Sequence, residues 1–255
     1  MLAIDTHAHL TDEHYANPAE MINNFEADGL QMVFTVGCDK KSSLDAVKFA
    51  DTYKNVYAII GYHPDDVANY DESIFEHLNN PKVIGVGEIG LDYHTTKDNK
   101  ELQKQVFIKQ LEIAHKYGLP VIIHSRDAVG DTLETLKLHK NLLANGGIWH
   151  CFNESQETFN EIKKLGLIVS FGGVTTFKNA KNTTELIKNA DLGDFVLETD
   201  CPYLTPEPMR GKAINQPKYV LYTAQHIADV KEMNINKVIE VTNNNTFKLF
   251  KKLGK

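Results

Sequence analysis

The sequence has three cysteines, two arginines and no long hydrophobic run. An odd number of cysteines with no C-x-x-C spacing argues against a disulfide framework and against a thiolate zinc site. No apolar stretch approaches the roughly 20 residues that span a bilayer, and the N-terminus does not resemble a signal peptide. We therefore expect a cytoplasmic protein that does not contact membranes, and no motif indicates an obligate protein partner.

The chain also lacks an excess of positive charge. Its net charge is −7, whereas proteins that bind duplex DNA usually present a basic face. Of 27 lysines and arginines, only Arg126 and Arg210 are arginines, and both lie beside motifs rich in metal-binding residue types. Because arginine binds phosphate oxygens through two donors at once, the pair favours an anionic ester substrate. The alternative is that both form ordinary surface salt bridges.

Short apolar runs alternate along the chain with segments of helical periodicity, of which the clearest are Ala19–Ala27, Glu101–Tyr117 and Ser155–Leu165. Strands that are each followed by a helical segment predict a parallel sheet. Eight strands in about 250 residues are typical of the TIM (β/α)8 barrel, so we expect one α/β domain over residues 1–255. A doubly wound open sheet is the alternative. The predicted strands are Leu2–Thr6, Met32–Val36, Val56–Gly61, Val83–Gly87, Pro120–His124, Gly147–Cys151, Leu167–Phe171 and Phe195–Thr199.

Imidazole and carboxylate side chains stand at the ends of these predicted strands. Barrel active sites are assembled at the carboxyl ends of several strands, whereas an open sheet would draw on two or three. Two histidines spaced as H-x-H on an extended segment point to the same side, so both can bind one divalent ion. Four histidines and two carboxylates suffice for two metals with one shared carboxylate. The candidate metal ligands are His7, His9, Glu88, His124, His150 and Asp200.

Alternation along the strands separates these ligands from their neighbours. If His150 and Asp200 face the mouth of the barrel, the residues beside them face the helices. Glu198 shares the face of Asp200 one layer deeper, where a carboxylate must be paired or protonated, which indicates a supporting role. His63 precedes a proline, and it either lines the pocket as a substrate contact or binds its own loop. The residues expected to pack against the helices are Trp149, Cys151 and Cys201.

Seven motifs, in order, resemble the TatD family of metal-dependent deoxyribonucleases, which belongs to the amidohydrolase-type TIM barrels. The resemblance runs from Asp5 to about Phe250. Two departures lie at the mouth: Asp65 replaces the last histidine of the family's G-x-H-P-H, and Asn153-Glu154 replaces the Ser-Gly of H-C-F-S-G. The motifs are D-T-H-A-H-L, G-Y-H-P, G-V-G-E-I-G-L-D-Y, V-I-I-H-S-R, W-H-C-F, E-T-D-C-P-Y and R-G-K-x-x-N-x-P.

The resemblance implies two divalent ions that share Glu88 and assigns further residues to the substrate. Mg²⁺ would be the ion in cells, and Zn²⁺, Mn²⁺ or Ni²⁺ could occupy the same ligands. Arg210 and Asn215 match a loop that would contact the substrate backbone, and His63 and Arg126 would lie near it. The first ion would be held by His7, His9, Glu88 and Asp200, and the second by His124, His150 and Glu88.

A bridged metal pair suits phosphoester hydrolysis, with Asp200 as the group that takes the proton of the attacking water. We expect a phosphodiester hydrolase acting on single-stranded or frayed DNA ends, in the manner of a 3′–5′ exonuclease. Hydrolysis of an aminoacyl-tRNA ester or a small cyclic amide by the same site is one alternative. A metal-binding regulatory protein is another. Aromatic residues that could stack on bases at the mouth are Tyr62, Tyr93, Phe152 and Tyr203.

Overall fold

Eight parallel strands form a single sheet in the order of the chain, β1 to β8. The structure is a computed structural model that describes residues 1–95 and 98–254. Parallel strands in sequential order with helices between them are the architecture of the TIM barrel. The strands are β1 (Ala3–Ala8), β2 (Leu30–Val36), β3 (Val56–Ile60), β4 (Val83–Asp92), β5 (Val121–Arg126), β6 (Gly147–Trp149), β7 (Ile168–Phe171) and β8 (Phe195–Leu197).

The sheet closes where the segment after β8 meets β1. The Asp200 N–H donates to the His7 carbonyl at 2.9 Å, and the His9 N–H donates to the Cys201 carbonyl at 2.8 Å. Ala8 and Cys201 also form a parallel bridge. The predicted barrel is confirmed and the open-sheet alternative is wrong. Closure brings the H-x-H motif directly beside Asp200.

Helices connect most successive strands. Between β3 and β4, a connection that the structure describes completely, two 3-10 segments (Pro64–Asn69 and Glu72–Asn79) replace the expected α-helix. Among the described residues, no helix combines the length and the apolar character needed to cross a membrane. The α-helices are α1 (Pro18–Asn23), α2 (Lys40–Thr52), α3 (Lys100–Tyr117), α4 (Val129–Leu138), α5 (Gln156–Lys164), α6 (Lys181–Asn189), α7 (Val220–Val230) and α8 (Ile235–Leu249).

Local chemistry sets the helix ends. Helix α3 is capped at its C-terminus by Gly118, which adopts the left-handed conformation with φ 68°, and Ser155 caps the start of α5 by accepting from the Thr158 N–H. The predicted helix Ala19–Ala27 is too long, because α1 ends at Asn23. The Asn24 side chain donates to the Glu20 carbonyl, the acceptor that the next helical N–H would otherwise use.

Apolar side chains from alternate strand positions fill the barrel interior. Because strand residues alternate between two faces, the residue two positions beyond an interior side chain faces the same interior, nearer the mouth. Thus Ile122 is followed by His124, and Ile148 by His150. In β1 the register shifts between Asp5 and Ala8, which breaks this count. The interior residues are Ile4, Met32, Phe34, Val36, Ile59, Ile84, Ile122, Ile148, Val196 and Phe250.

Asparagines of α8 hold the closing helix against the opposite end of the barrel. The Asn243 amide donates to the Leu2 carbonyl and its oxygen accepts from the Ile4 N–H. The Asn245 amide donates to the Phe195 carbonyl at 2.8 Å. Each such bond contributes about 1 kcal/mol net. These contacts fasten the first residues of β1 and β8, the two strands whose far ends carry the H-x-H motif and Asp200.

Candidate metal centre

A cavity of about 1220 Å³ opens at the carboxyl ends of the strands, where TIM barrels carry their active sites. His7 lies beneath its floor with 1% of its surface exposed. The structure therefore brings all six predicted ligands to one place. The predicted ligands that line the cavity are His9, Glu88, His124, His150 and Asp200.

Glu88 stands at the centre of the cluster, and its two carboxylate oxygens face different imidazoles. Oε1 lies 2.6 Å from His124 Nδ1 and 2.8 Å from His150 Nε2. Oε2 lies 3.3 Å from His7 Nε2 and 3.8 Å from His9 Nε2. Each oxygen thus belongs to its own group of ligand atoms. This is the arrangement that a bridging carboxylate requires.

Asp200 adds a second carboxylate to the His7 and His9 side of the cluster. Its Oδ1 lies 3.2 Å from His9 Nε2 and 3.8 Å from His7 Nε2. Asp200 has φ 55°, a left-handed conformation that costs a non-glycine residue about 1–3 kcal/mol. The hydrogen bond from its N–H to the His7 carbonyl helps to hold this turn, which aims the carboxylate at the histidines.

The donor set fits a divalent cation. Both ring nitrogens of His7 are buried and make no hydrogen bond within the described part of the chain, although Nε2 lies close to Glu88. An unsatisfied buried nitrogen costs about 1–3 kcal/mol, and a metal ion at Nε2 would remove part of that cost. Imidazole and carboxylate donors of this kind bind Zn²⁺, Mn²⁺ or Ni²⁺.

The charges of the cluster also call for a cation. Burial alone would raise the pKa of Glu88, but the facing His150 and His124 outweigh it and hold this pKa well below its usual range. The pKa of Asp200 is likewise lowered against the effect of burial, chiefly by its contact with His9. Glu88 in turn raises the pKa of His150 well above normal despite burial. The buried carboxylates therefore stabilise positive charge between themselves and the rings.

The second ring nitrogens of His9 and His150 have different surroundings. His9 Nδ1 lies 3.1 Å from the Val36 carbonyl oxygen, whereas His150 Nδ1 makes no hydrogen bond with any described residue and lies 3.8 Å from Glu198 Oε1. A partner such as the Val36 carbonyl orients a metal-binding imidazole and selects its tautomer. Glu198 accepts from the Cys151 N–H and from the Ser170 hydroxyl, so it lies behind the cluster as a hydrogen-bonded carboxylate, and its supporting role stays a prediction.

Asp92 belongs to the same cluster of side chains, and the sequence prediction did not include it. Its Oδ2 lies 3.1 Å from His124 Nε2, so the Nδ1 of the same ring is directed at Glu88. Strand β4 was expected to end at Gly87 but continues to Asp92. Extending the alternation from Glu88 by four residues would have placed Asp92 on the same face.

His63 both lines the cavity and binds its own loop, and its contact with a substrate stays a prediction. It lines the cavity with Nε2 at 3.8 Å from Glu88 Oε1, and its Nδ1 accepts from the Asp65 N–H. Burial, followed by the neighbouring His124, lowers the pKa of His63 to about 3, so the ring is neutral at neutral pH. Ligand atoms of His63, Asp92 and His124 also lie within 4.8 Å of one another.

The two arginines occupy different places. Arg126 is exposed at the end of β5 and lines the cavity, and its side chain makes no ion pair with any residue that the structure describes. Arg210 does not line the cavity, and its guanidinium lies 3.7 Å from the centre of the Phe177 ring. The arginine positioned to meet a substrate inside the cavity is therefore Arg126.

Asn215 is fully buried rather than presented to the cavity. Its amide donates to the Thr199 carbonyl at 2.9 Å and to the Tyr203 carbonyl. The predicted contact between Asn215 and a substrate is therefore wrong, because both amide protons are used within the chain. Asn215 instead fixes the loop that follows β8.

Two cysteines line the cavity, which the sequence did not predict. Cys38 Sγ lies 3.8 Å from Glu88 Oε2. Cys151 was expected to face the helices, but its φ of 48° ends the strand alternation there and the residue lines the mouth. Trp149 and Cys201 are buried in the cluster between sheet and helices, as predicted.

The predicted aromatic surface is reduced to one residue. Tyr62 and Phe152 are fully buried and Tyr93 is 7% exposed, so none of the three presents a face to a base. Tyr203 is 48% exposed and lines the cavity. Of the four aromatic residues, only Tyr203 therefore has exposed ring surface at the cavity.

Known proteins resemble this chain over its whole length. The family model described as TatD related DNase matches residues 4–251. The uncharacterised metal-dependent hydrolase YabD of Bacillus subtilis (strain 168) is 41% identical, over 98% of this chain and 99% of that protein. Its counterpart YcfH of Escherichia coli (strain K12) is 32% identical, over 98% and 96%. The crystal structure of YjjV, a TatD homologue from Escherichia coli K12, superposes with a TM-score of 0.89 at 27% identity and covers 98% of both chains.

Proposed function

The chain belongs to the family of TatD-related DNases, and we propose that it is a divalent-metal-dependent phosphodiesterase that hydrolyses single-stranded or frayed DNA ends, in the manner of a 3′–5′ exonuclease. The observation that carries this proposal is the placement of Glu88, whose two oxygens face separate pairs of histidines. A carboxylate shared in this way suits two ions acting on one phosphodiester.

Two groups of side chains would hold the ions, with Mg²⁺ as the ion in cells and Zn²⁺, Mn²⁺ or Ni²⁺ able to occupy the same donors. When bound, the ions supply Lewis acidity and neutralise negative charge at the phosphoryl group. One group is His7, His9 and Glu88, with Asp200 beside its two histidines, and the other is His124, His150 and Glu88.

The remaining steps fall to side chains of this chain. Asp200 lines the cavity as an ionised carboxylate, because its pKa is lowered, and it accepts the proton of the attacking water. Asp92 fixes the tautomer of His124 by accepting from its Nε2. Arg126 binds a non-bridging phosphate oxygen through its guanidinium. The neutral His63 ring lies beside Glu88 and contacts the phosphodiester from the β3 side.

The cavity is acidic, and this favours a DNA end over an internal duplex site. Among the residues that the structure describes, its lining contains nine carboxylates but only one lysine and one arginine, Lys41 and Arg126. Two divalent ions at the floor of the cavity would offset part of this negative charge. The carboxylates at the rim would still repel a long polyanion. A chain end brings few phosphates into the cavity at once, so it meets the least repulsion.

Glu154 allows this electrostatic argument to be tested. It is half-buried in the cavity lining, and burial together with Asp127 raises its pKa. We expect Glu154→Gln to raise kcat/KM for single-stranded DNA about fivefold at low salt, since one nearby charge is worth about 1 kcal/mol in water. The gain should fall in 0.5 M salt, which screens the charge.

The pH dependence of the same variant has a defined sign. As the pH falls from neutral toward the raised pKa of Glu154, the native carboxylate becomes neutral and the two proteins should converge in kcat/KM. Glu157→Gln, at an exposed position on α5, removes the same charge outside the cavity lining and serves as the control. A Glu154→Gln protein no faster than the native one at any salt concentration contradicts the proposed effect of the rim.

Substitutions of the two arginines should differ in how their effect on KM depends on substrate length. We expect Arg126→Ala to raise KM about 10- to 100-fold for both a mononucleotide ester and an oligonucleotide, because charge-assisted hydrogen bonds contribute about 1.5–3 kcal/mol. We propose that Arg210 meets only the part of the strand beyond the mouth, so Arg210→Ala should raise KM for the oligonucleotide alone. Metal content, measured on both purified variants, should stay at the native value. Loss of metal from either variant would assign that arginine to the metal site.

The proposal is tested with end-labelled DNA. Single-stranded, frayed and blunt duplex substrates are incubated with Mg²⁺, Mn²⁺ or Zn²⁺, and product lengths are followed over time. We expect stepwise shortening of the single strand from its 3′ end, with the blunt duplex slowest. Intact DNA beside a hydrolysed aminoacyl ester or cyclic amide would favour the alternative substrates, and bound metal without turnover of any of them would indicate a regulatory protein.

A further inference from the structure

The rim of the cavity is chemically divided. The end of β5 and the segments after β5 and β6 contribute the charged residues Arg126, Asp127 and Glu154, whereas the segments after β7 and β8 contribute, besides Asp200, side chains with apolar surface. Tyr203 is 48% exposed and Leu204 is 36% exposed, and both line the mouth. Contiguous exposed apolar surface beside a cavity is typical of a ligand-binding groove. The lining residues with apolar surface on this side are Val174, Tyr203 and Leu204.

The Tyr203 side chain is fixed in position. Its hydroxyl donates to Asp12 Oδ2 at 2.6 Å, and the other oxygen of Asp12 accepts from the His14 N–H. Burial, followed by Asp12, raises the pKa of Tyr203 to about 12, so the hydroxyl remains a donor. The Tyr203 N–H also donates to the Asp200 carbonyl at 3.0 Å. A ring held in this way loses little conformational entropy when a ligand stacks on it.

The ring also lies next to the metal ligands. Its centre is 5.9 Å from the centre of the His9 ring, and the two rings are inclined by 65°. Because Tyr203 follows Asp200 by three residues, the same turn places the carboxylate at the reacting phosphate and the ring beside it. In the proposed substrate a nucleobase is joined to that phosphate through one sugar, so a base beside the reacting phosphate would lie near the ring.

We propose that Tyr203, flanked by Leu204 and Val174, is the surface on which the nucleobase next to the hydrolysed phosphate stacks. This inference rests on the proposed phosphodiesterase function and names the part of the substrate that the enzyme recognises. Base stacking on aromatic side chains tolerates every base, because each has a π face. The site therefore distinguishes nucleotides from other phosphodiesters without reading sequence.

Two phosphodiesters with the same leaving group test this inference. Thymidine 5′-(p-nitrophenyl phosphate) carries a base, and methyl p-nitrophenyl phosphate does not. The ratio of their kcat/KM values is measured on the metal-loaded, full-length protein. Tyr203→Ala should lower this ratio about tenfold or more, from the known contribution of one stacked base. Tyr203→Phe keeps the ring and should retain most of the ratio.

A matched control and a binding measurement complete the design. Tyr222→Ala removes a tyrosine of α7 that is 38% exposed and lies outside the cavity lining, and it should leave the ratio unchanged. Calorimetry should show that Tyr203→Ala weakens binding of thymidine 5′-monophosphate more than that of deoxyribose 5-phosphate. Equal changes for both ligands and an unchanged ratio would overturn the inference. A native protein that hydrolyses neither diester would instead refute the phosphodiesterase function.

Discussion

Glu88→Ala is expected to lower phosphodiester hydrolysis by about 10³-fold or more, because the metal pair contributes several kcal/mol to the transition state. Both groups of ligand atoms depend on Glu88, since one oxygen faces His7 and His9 and the other faces His124 and His150. The variant should lose both ions. Metal content by mass spectrometry and kcat/KM on single-stranded DNA measure the two effects in one preparation.

The control for this variant is Glu185→Ala, which removes the same group from the exposed face of α6. It should keep native activity and native metal content. Circular dichroism of both variants shows whether the barrel is intact. A Glu88→Ala protein that binds two ions and retains native activity would refute the bridging role of Glu88.

Asp200→Asn is expected to lower kcat about 10²- to 10⁴-fold, the usual contribution of a positioned general base. Asparagine keeps the shape and one oxygen of the side chain but cannot accept the proton of the attacking water. The ions should largely remain, because Glu88 and all four histidines are unchanged. The loss should therefore appear in kcat rather than in metal content.

Single-turnover hydrolysis of a nucleotide ester, with metal content determined on the same sample, separates these effects. Restored activity at excess metal would show that Asp200 acts mainly as a ligand. An unchanged rate with both ions bound would assign the proton transfer to another group.

The clustering of the candidate metal ligands could be predicted because two regular features determine their positions. Strand alternation places His124 and His150 two residues beyond the interior Ile122 and Ile148, and barrel closure gathers all strand ends in one place. The resemblance to the TatD family supplied the sharing of Glu88. Strand periodicity and the barrel topology together were therefore sufficient to predict that these side chains meet.

The wrong predictions have local structural causes that the periodicity of the sequence does not reveal. Strand β4 was expected to end at Gly87 but extends to Asp92. Asp92, which contacts His124, therefore lay outside the predicted strand and was not considered. Cys151 was expected to face the helices, but its left-handed conformation places it in the cavity lining instead. Asn215 is polar and follows an exposed arginine, but its burial depends on long-range hydrogen bonds to the loop after β8.

The central claim is that Glu88 joins two ions held by two separate pairs of histidines. Electron paramagnetic resonance of the Mn²⁺-loaded protein tests it most directly, because two ions that share a carboxylate are magnetically coupled. We predict two Mn²⁺ per chain with a coupled spectrum, and one uncoupled Mn²⁺ in the double variant His124→Ala/His150→Ala. A single Mn²⁺ per native chain, or two uncoupled ones, would contradict the bridged centre.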